Sequence, residues 1–166
     1  MRTSSVALAA ALAVVSITTS LSGQKTDTAI DPRSIQLLEQ GRAQKASGNL
    51  DGATDTLETA VAVDPRNRAA FVTLAEVADA RDLPGKAIRL YREALLLEPN
   101  DVAALRGQGE ALVAKGAVIR ARENLVKIRK LCKTGCTDAT VLAAVIAKGP
   151  PVTTAAVVIK PAVAKE

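Results

Sequence analysis

Apolar residues recur along most of the chain with a helical spacing. Between Leu83 and Asn100 they share one helix face, at Ile88, Leu90, Tyr91, Ala94, Leu95 and Leu97, whereas a strand would require alternation. Pro84 suits a first helical turn, where a missing N–H costs little. Pro99 disfavours the helical conformation in the residue before it. The pattern therefore predicts a helix over residues 84–97.

This pattern occurs three times at a spacing of 34 residues. Residues at equivalent positions of the three copies form columns: a small column (Ala53, Ala87, Ala121), a large column (Leu57, Tyr91, Leu125) and a third column (Ala60, Ala94, Ile128). Upstream, Gly41, Ala75 and Gly109 form a further column, and Leu37, Phe71 and Leu105 form another four positions earlier. Such a period is typical of stacked helix pairs. It predicts helices near residues 33–46, 50–63, 67–81, 84–97, 101–115 and 118–131.

The columns have a physical reason. Two antiparallel helices approach closely only where small residues face each other, so we expect near contacts between Gly41 and Ala53, Ala75 and Ala87, and Gly109 and Ala121. The large column then fills the space between one pair and the next. Because a single pair cannot bury its outer face, the pairs are expected to stack into a solenoid.

These columns resemble those of the tetratricopeptide repeat (TPR) family, from Ser34 to about Cys132. The resemblance implies an all-α, right-handed superhelical solenoid of three repeats, 34–67, 68–101 and 102–135, with a C-terminal capping helix. The chain departs from the family at a few positions. Only Phe71 keeps the usual aromatic of the fourth position, the eleventh position holds Gln44, Ala78 and Leu112, and Lys133 replaces the closing proline. We therefore expect smaller packing residues and a looser third repeat.

The end of the domain is predicted to be a capping helix over 138–148, with Val141, Leu142, Val145 and Ile146 on one face and Gly149-Pro150-Pro151 as its stop. Its role is to cover the exposed face of the sixth helix. The domain thus spans 33–148, and residues 24–32 form a flexible segment before it. Residues 149–166 are predicted to be a disordered tail, with docking elsewhere by strand addition as the alternative.

Residues 1–23 have the features of a signal peptide. Arg2 precedes an apolar core from Val6 to Ile17, which matches an h-region and is too short to span a membrane. Cleavage is expected between Ser20 and Gln24, and an uncleaved anchor is the alternative. We therefore expect a periplasmic or secreted protein with no stable membrane insertion after cleavage.

Composition and charge argue against nucleic acid as a partner. Aromatic residues make up 1% of the chain, so the stacking groups that bind single strands are missing. Without Arg2, 21 basic residues face 17 acidic ones, a net charge of 21 − 17 = +4, and the two signs are interspersed. The one basic cluster comprises Arg120, Arg122, Lys127, Arg129, Lys130 and Lys133. It is interpreted as a solvated helix face, with a site for an anionic partner as the alternative.

Cys132 and Cys136 are the only cysteines. In an exported chain, two close cysteines favour a disulfide, and Gly135 gives the backbone freedom to close the ring. A redox dithiol would favour C-x-x-C at a helix start, and a metal site would need further ligands. The resemblance supports the disulfide, because small exported bacterial TPR proteins often carry such a pair after the last repeat.

No catalytic arrangement is visible in the sequence. The chain has no histidine, so Ser–His and Cys–His pairs are excluded, and we expect no enzyme and no cofactor. The resemblance implies a concave groove formed by the first helix of each pair. Carrying the family's groove positions onto this sequence selects Leu38, Arg42, Lys45, Val72, Glu76, Asp79, Arg106, Glu110 and Val113. These residues do not reproduce the carboxylate clamp of some TPR proteins.

The leading hypothesis is a non-catalytic scaffold or adaptor that binds a partner protein or peptide in this groove, in the bacterial periplasm or outside the cell. One alternative is a secretion-type TPR chaperone, which would work in the cytosol. The other is a self-assembling structural protein in which the end of one solenoid stacks on another.

Overall fold

The computed structural model describes residues 29–132 and 135–151. These residues form seven helices and no strand: α1 (Pro32–Ala46), α2 (Leu50–Val63), α3 (Arg68–Ala80), α4 (Pro84–Leu97), α5 (Val102–Ala114), α6 (Val118–Leu131) and α7 (Thr137–Lys148). Every helix begins and ends within one residue of its predicted bounds. The predicted all-α architecture of three helix pairs and a capping helix is confirmed. The predicted signal peptide, and the tail beyond Pro151, lie outside the described residues.

The helices begin where side chains can satisfy the free N–H groups of the first turn. Asp31, Asn49, Asn67 and Asp101 each accept a hydrogen bond from a backbone N–H of the helix they precede. The Asp31 N–H in turn donates to the Asp64 carboxylate at 2.8 Å. This bond ties the start of α1 to the end of α2, so the described end of the segment predicted to be flexible is held in place.

The core runs through the molecule as a series of clusters, each linking a helix pair to the first helix of the next pair. Leu57 packs with residues of α1 and α3, Tyr91 with residues of α3 and α5, and Leu125 with residues of α5 and α7. The small column Ala53, Ala87 and Ala121 is completely buried. The structure thus shows that the small column is buried, and it confirms that the large column fills the space between one pair and the next.

The glycines make closer contacts than those predicted from the columns. A Cβ added to Gly41 would lie 2.5 Å from Leu57 Cγ, and one added to Gly109 would lie 2.7 Å from both Leu142 methyl groups. The nearest neighbour is therefore a large side chain and not the opposing alanine, because each glycine provides a notch into which a leucine fits. At Gly109 that leucine belongs to α7, which explains how the capping helix is seated.

The turns inside the helix pairs need a left-handed residue. Gly48 and Gly116 supply it with φ of 79° and 76°, as expected of glycine after a helix end. In the middle pair the same conformation falls on Asp82, with φ 56°. A residue with a side chain is strained in the left-handed region, so the middle turn carries a conformational cost at Asp82 that the two glycine turns avoid.

The packing makes the first helices the inner layer of the solenoid. Along the described chain, α1, α3, α5 and α7 pack against one another in turn, whereas the backbones of α2, α4 and α6 do not approach one another. The stack therefore curves toward its first helices, which form a concave face. Among the described residues no helix has the length and apolar character needed to cross a membrane.

Candidate functional site

The concave face holds a cavity of about 390 Å³ where α1, α3 and the start of α5 meet. Its lining combines small apolar groups with charged ones: Arg42, Lys45, Arg68, Ala69, Val72, Thr73, Glu76, Asp101 and Ala103. The positions follow from the helical period. On α3, residues 68, 69, 72, 73 and 76 are spaced by one turn and share one face, and the stacking of α1 and α5 on either side closes the walls.

The charged side chains of this cavity pair across neighbouring repeats. Lys45 of α1 contacts Glu76 of α3, and Arg68 of α3 contacts Asp101 ahead of α5. Arg42 pairs along its own helix with Glu39 at 2.7 Å. Two ion pairs thus join α1, α3 and α5, while the three cations remain 35% to 48% exposed along the rim.

A second feature of the concave face is an acidic cluster beside the cavity. The Tyr91 hydroxyl lies beside the Asp79 carboxylate, with Glu76 and Glu110 nearby. Burial raises the pKa of Asp79 to about 6, and the charges of Glu110 and Glu76 add to the effect of burial. Burial also raises the pKa of the Tyr91 hydroxyl, which therefore stays protonated.

Toward the C-terminal end, Arg106 joins α5 to the capping helix. Its guanidinium lies 3.1 Å from Glu110 on the same helix and 2.7 Å from Asp138 on α7. Beyond it, α5, α7 and the Gly149–Pro151 turn enclose a largely apolar hollow of about 580 Å³, lined in part by Val145, Pro150 and Pro151. The concave face thus changes from charged at α1 and α3 to apolar at α7.

The predicted groove residues fall into three groups in the structure. Arg42, Lys45, Val72 and Glu76 line the cavity together. Asp79, Arg106 and Glu110 lie farther along the same face. Leu38 and Val113 are only 5% and 2% exposed. Leu38 is held in the first core cluster, whereas Val113 packs with Leu112 and Ala121 and also lines the hollow between α5 and α7.

Sequence reasoning missed other residues that line the cavity. Arg68 and Asp101 were not selected because both stand at helix starts, in the first turn of α3 and at the cap of α5. Their spacing of 33 residues, nearly one repeat, is the signal that would have brought them together. Ala69, Thr73 and Ala103 carry no charge, and only the face they share with Val72 marks them.

Cys132 and Cys136 flank the junction between α6 and α7. Their sulfur atoms are joined, with the Cα atoms 5.7 Å apart, a usual separation for a disulfide. Cys132 ends α6, and Cys136 immediately precedes α7. Gly135, which lies between them, has φ 65°. This is a left-handed conformation that glycine adopts without steric cost, as its predicted role in closing the ring requires. Elsewhere in the described chain, no group of three or more His, Cys, Asp or Glu residues is placed to hold a metal ion.

The repeated helix pairs also match a known protein family. Residues 44–108 match the family model described as tetratricopeptide repeat. This part of the chain consists of tetratricopeptide repeats. The matched residues include most of the cavity lining, and the third helix pair continues the repeat by the same packing. No curated protein is significantly similar to this TPR protein in sequence.

Solved structures share its fold at low sequence identity. The TPR domain of Sgt2 from Aspergillus fumigatus is 20% identical with a TM-score of 0.67, covering 75% of this chain and 83% of that one. The second TPR domain of human RPAP3, in complex with an HSP70 peptide, is 18% identical with a TM-score of 0.65, covering 69% and 95%. The type III secretion chaperone SycD of Yersinia enterocolitica, in complex with a peptide of the translocator YopD, is 18% identical with a TM-score of 0.63, covering 69% and 89%.

Proposed function

We propose that this TPR protein is a non-catalytic interaction module that holds a peptide segment of a partner protein in its concave face. The observation that carries the proposal is the cavity between α1, α3 and α5, which combines an apolar floor with charged groups on its rim. A concave site with a few convergent polar groups is what a bound segment needs for both contact area and orientation.

The lining indicates the kind of segment. Ala69, Val72 and Ala103 offer room for a small apolar side chain. Around them three cations, Arg42, Lys45 and Arg68, face two carboxylates, Glu76 and Asp101, so the residues that line the cavity carry a net charge of 3 − 2 = +1. A segment that carries one acidic group beside an apolar side chain fits this arrangement. The pairs Arg42–Glu39 and Lys45–Glu76 are partly exposed, and such pairs contribute only about 0–1 kcal/mol each, so a ligand carboxylate can compete for Arg42 and Lys45.

Proteins of the same shape support a peptide ligand. The human RPAP3 domain is in complex with an HSP70 peptide, and SycD is in complex with a peptide of the translocator YopD. Because their identity to this chain is 18%, they support the shape of the binding face and do not name its partner.

We also propose that the protein acts outside the cytoplasm. The support is the leader at residues 1–23, with Arg2 before its apolar core, and the bonded pair Cys132–Cys136, which suits an oxidising compartment. N-terminal sequencing of protein from the envelope fraction should give a start between Ser20 and Gln24. Mass spectrometry should find both cysteines oxidised. An intact leader on cytosolic protein, or two free thiols in the native compartment, would contradict this location.

Peptides selected from a random displayed library on the wild-type protein test the proposed binding site. Their affinity for Val72→Arg, which places a long cation on the cavity floor, should fall by at least about tenfold. Leu96→Arg is the matched control, because Leu96 is 69% exposed on the outer side of α4, and it should bind like the wild type. Failure to select any peptide, or equal loss in both variants, would contradict the proposal.

A further inference from the structure

The outer side of α6 carries apolar side chains that no other part of the described chain covers. Ile119 and Val126 are 76% and 50% exposed, and a separation of seven residues places them about 10.5 Å apart on one line along the helix. With Arg122 and Glu123 they enclose a shallow hollow of about 420 Å³. We refer to the surface of Ile119, Arg120, Arg122, Glu123, Val126, Lys127, Arg129 and Lys130 as the α6 outer face.

The repeat itself does not require apolar residues at these two positions. One repeat earlier the equivalents of Ile119 and Val126 are Gly85 and Arg92, and two repeats earlier they are Asp51 and Glu58. The first two pairs therefore fold without an apolar side chain at these two positions. Exposed apolar side chains at both positions in the third pair indicate a purpose other than folding.

Cations flank the apolar line on both sides. At 100° per residue, Arg122 and Arg129 lie to one side of Ile119 and Val126, while Lys127 and Arg120 lie to the other. No carboxylate of the described chain forms an ion pair with any of the five basic residues of α6. Lys127 donates to the carbonyl oxygen of Pro99. Glu123 is the only acidic residue of the helix.

We propose that the α6 outer face is a docking surface for an acidic amphipathic helix of a partner protein. Ile119 and Val126 are one heptad apart, so they can pack against the apolar seam of a second helix. The hollow between them accepts one large side chain from that seam, and the cations on either side face the acidic residues that flank it. This surface is separate from the concave face and does not depend on the function proposed for that face.

Two other occupants fit the surface less well. An anionic bilayer would meet Glu123, which lines the same hollow as the two apolar residues. A second copy of this chain would have to offer an acidic outer helix, and the acidic one is α2. Two of its three carboxylates, Asp51 and Glu58, are already paired with Arg81 and Lys86. The charge pattern therefore favours a helix from another protein.

The test uses the full chain and a fluorescent synthetic helix with leucines in heptad register and glutamates on both flanks. A reference peptide keeps the glutamates and replaces the leucines by serine. The leucine peptide should bind the wild type more tightly than the reference by about tenfold or more. Both Ile119→Ser/Val126→Ser and Arg122→Glu/Arg129→Glu should weaken it by a similar factor. Amide shift changes in NMR spectra should be confined to α6 and its neighbours.

Two control variants make the test specific. Arg89→Glu/Arg92→Glu makes the same charge change on the outer side of α4, and Val72→Arg alters only the concave cavity, so both should bind the peptide like the wild type. Equal binding of the two peptides, or equal loss in Arg89→Glu/Arg92→Glu, would overturn the proposal. So would preferential binding of phosphatidylglycerol vesicles with no binding of the leucine peptide. The proposal would also be overturned if the protein self-associates in sedimentation experiments and Ile119→Ser/Val126→Ser abolishes the effect, because the α6 outer face would then bind a second copy of the chain.

Discussion

The ring of Tyr91 occupies the space that a side chain at position 107 would need. Gly107 of α5 faces Tyr91 of α4, and a Cβ at position 107 would overlap Cζ and Oη of the ring. Tyr91 is 3% exposed, and its hydroxyl continues past the glycine to Asp79 on α3. One large side chain thus links the second helix pair, the third helix pair and the concave face.

Gly107→Ala should therefore destabilise the protein. Overpacking costs about 1–3 kcal/mol, and the better helix propensity of alanine returns up to about 1 kcal/mol. Urea denaturation should show a net loss of about 1–2 kcal/mol. Gly85→Ala is the matched control, because a Cβ at that helical position meets no atom within 4 Å, and it should be neutral or stabilising. Equal stability of the two variants would contradict this packing.

Asn67 has a double role that Asn49 lacks. Both cap a helix, but the buried Asn67 side chain also donates to Ser34 Oγ at 2.8 Å and to the Ser34 carbonyl oxygen at 3.3 Å. Loss of a cap alone costs about 1 kcal/mol, so Asn49→Ala should lose about that much. Asn67→Ala should lose about 2–4 kcal/mol, since buried acceptors on α1 are also left with fewer partners. Equal losses in thermal or urea unfolding would show that the Ser34 contacts contribute nothing.

Asp79 should make stability depend on pH between about 4 and 6. Burial raises the pKa of its carboxyl from 3.8 to about 6, so in this range the folded state holds the proton more tightly than the unfolded chain. Stability contributed by this proton is therefore lost as the pH rises through 6. Asp79→Asn should gain about 1–2 kcal/mol at pH 7.5, after allowance for solvent screening, and should flatten the profile.

The control for this measurement is Asp55→Asn, because Asp55 is exposed on α2. Its profile should follow that of the wild type. The measurements must stay above pH 4 because of Asp64. Hydrogen bonds from Arg66 and Asp31 lower the pKa of its carboxyl, so the stability that Asp64 contributes is lost as the pH falls, opposite to the effect of Asp79. A profile for Asp79→Asn that is parallel to the wild type would contradict a raised pKa.

Asp82 offers a test of the turn in the middle pair. Its φ of 56° is left-handed, and the other two pairs use Gly48 and Gly116 at this point. A residue with a side chain costs about 1–2 kcal/mol in the left-handed conformation. Glycine avoids this cost, but it loses more conformational freedom on folding, which offsets part of the gain. We expect Asp82→Gly to be more stable than the wild type by about 0.5–1 kcal/mol, and Asp82→Ala to be less stable. The reverse order in calorimetry would exclude the left-handed turn.

The sequence predicted the fold closely because its signals are local. Helical spacing, prolines and capping residues determine where each helix begins and ends, and the 34-residue columns determine which residues meet. The site was less predictable, because it depends on distances between helices that the period does not specify. Leu38 and Val113 were assigned to the groove by position and are buried by their neighbours. Arg68 and Asp101 were overlooked because they stand at helix starts, which is not where the repeat pattern places a groove.

The central claim is that the concave face, and not the outer faces of α2 and α4, holds the partner. In-cell photo-crosslinking tests it most directly, with a photoreactive amino acid placed at Arg42 or Asp79 and, as controls, at Asp55 or Arg89. We expect a crosslinked partner protein from the two concave positions, lost at Arg42 when Val72→Arg is added, and none from the two controls. Crosslinks of equal yield from all four positions, or from the controls alone, would contradict the account.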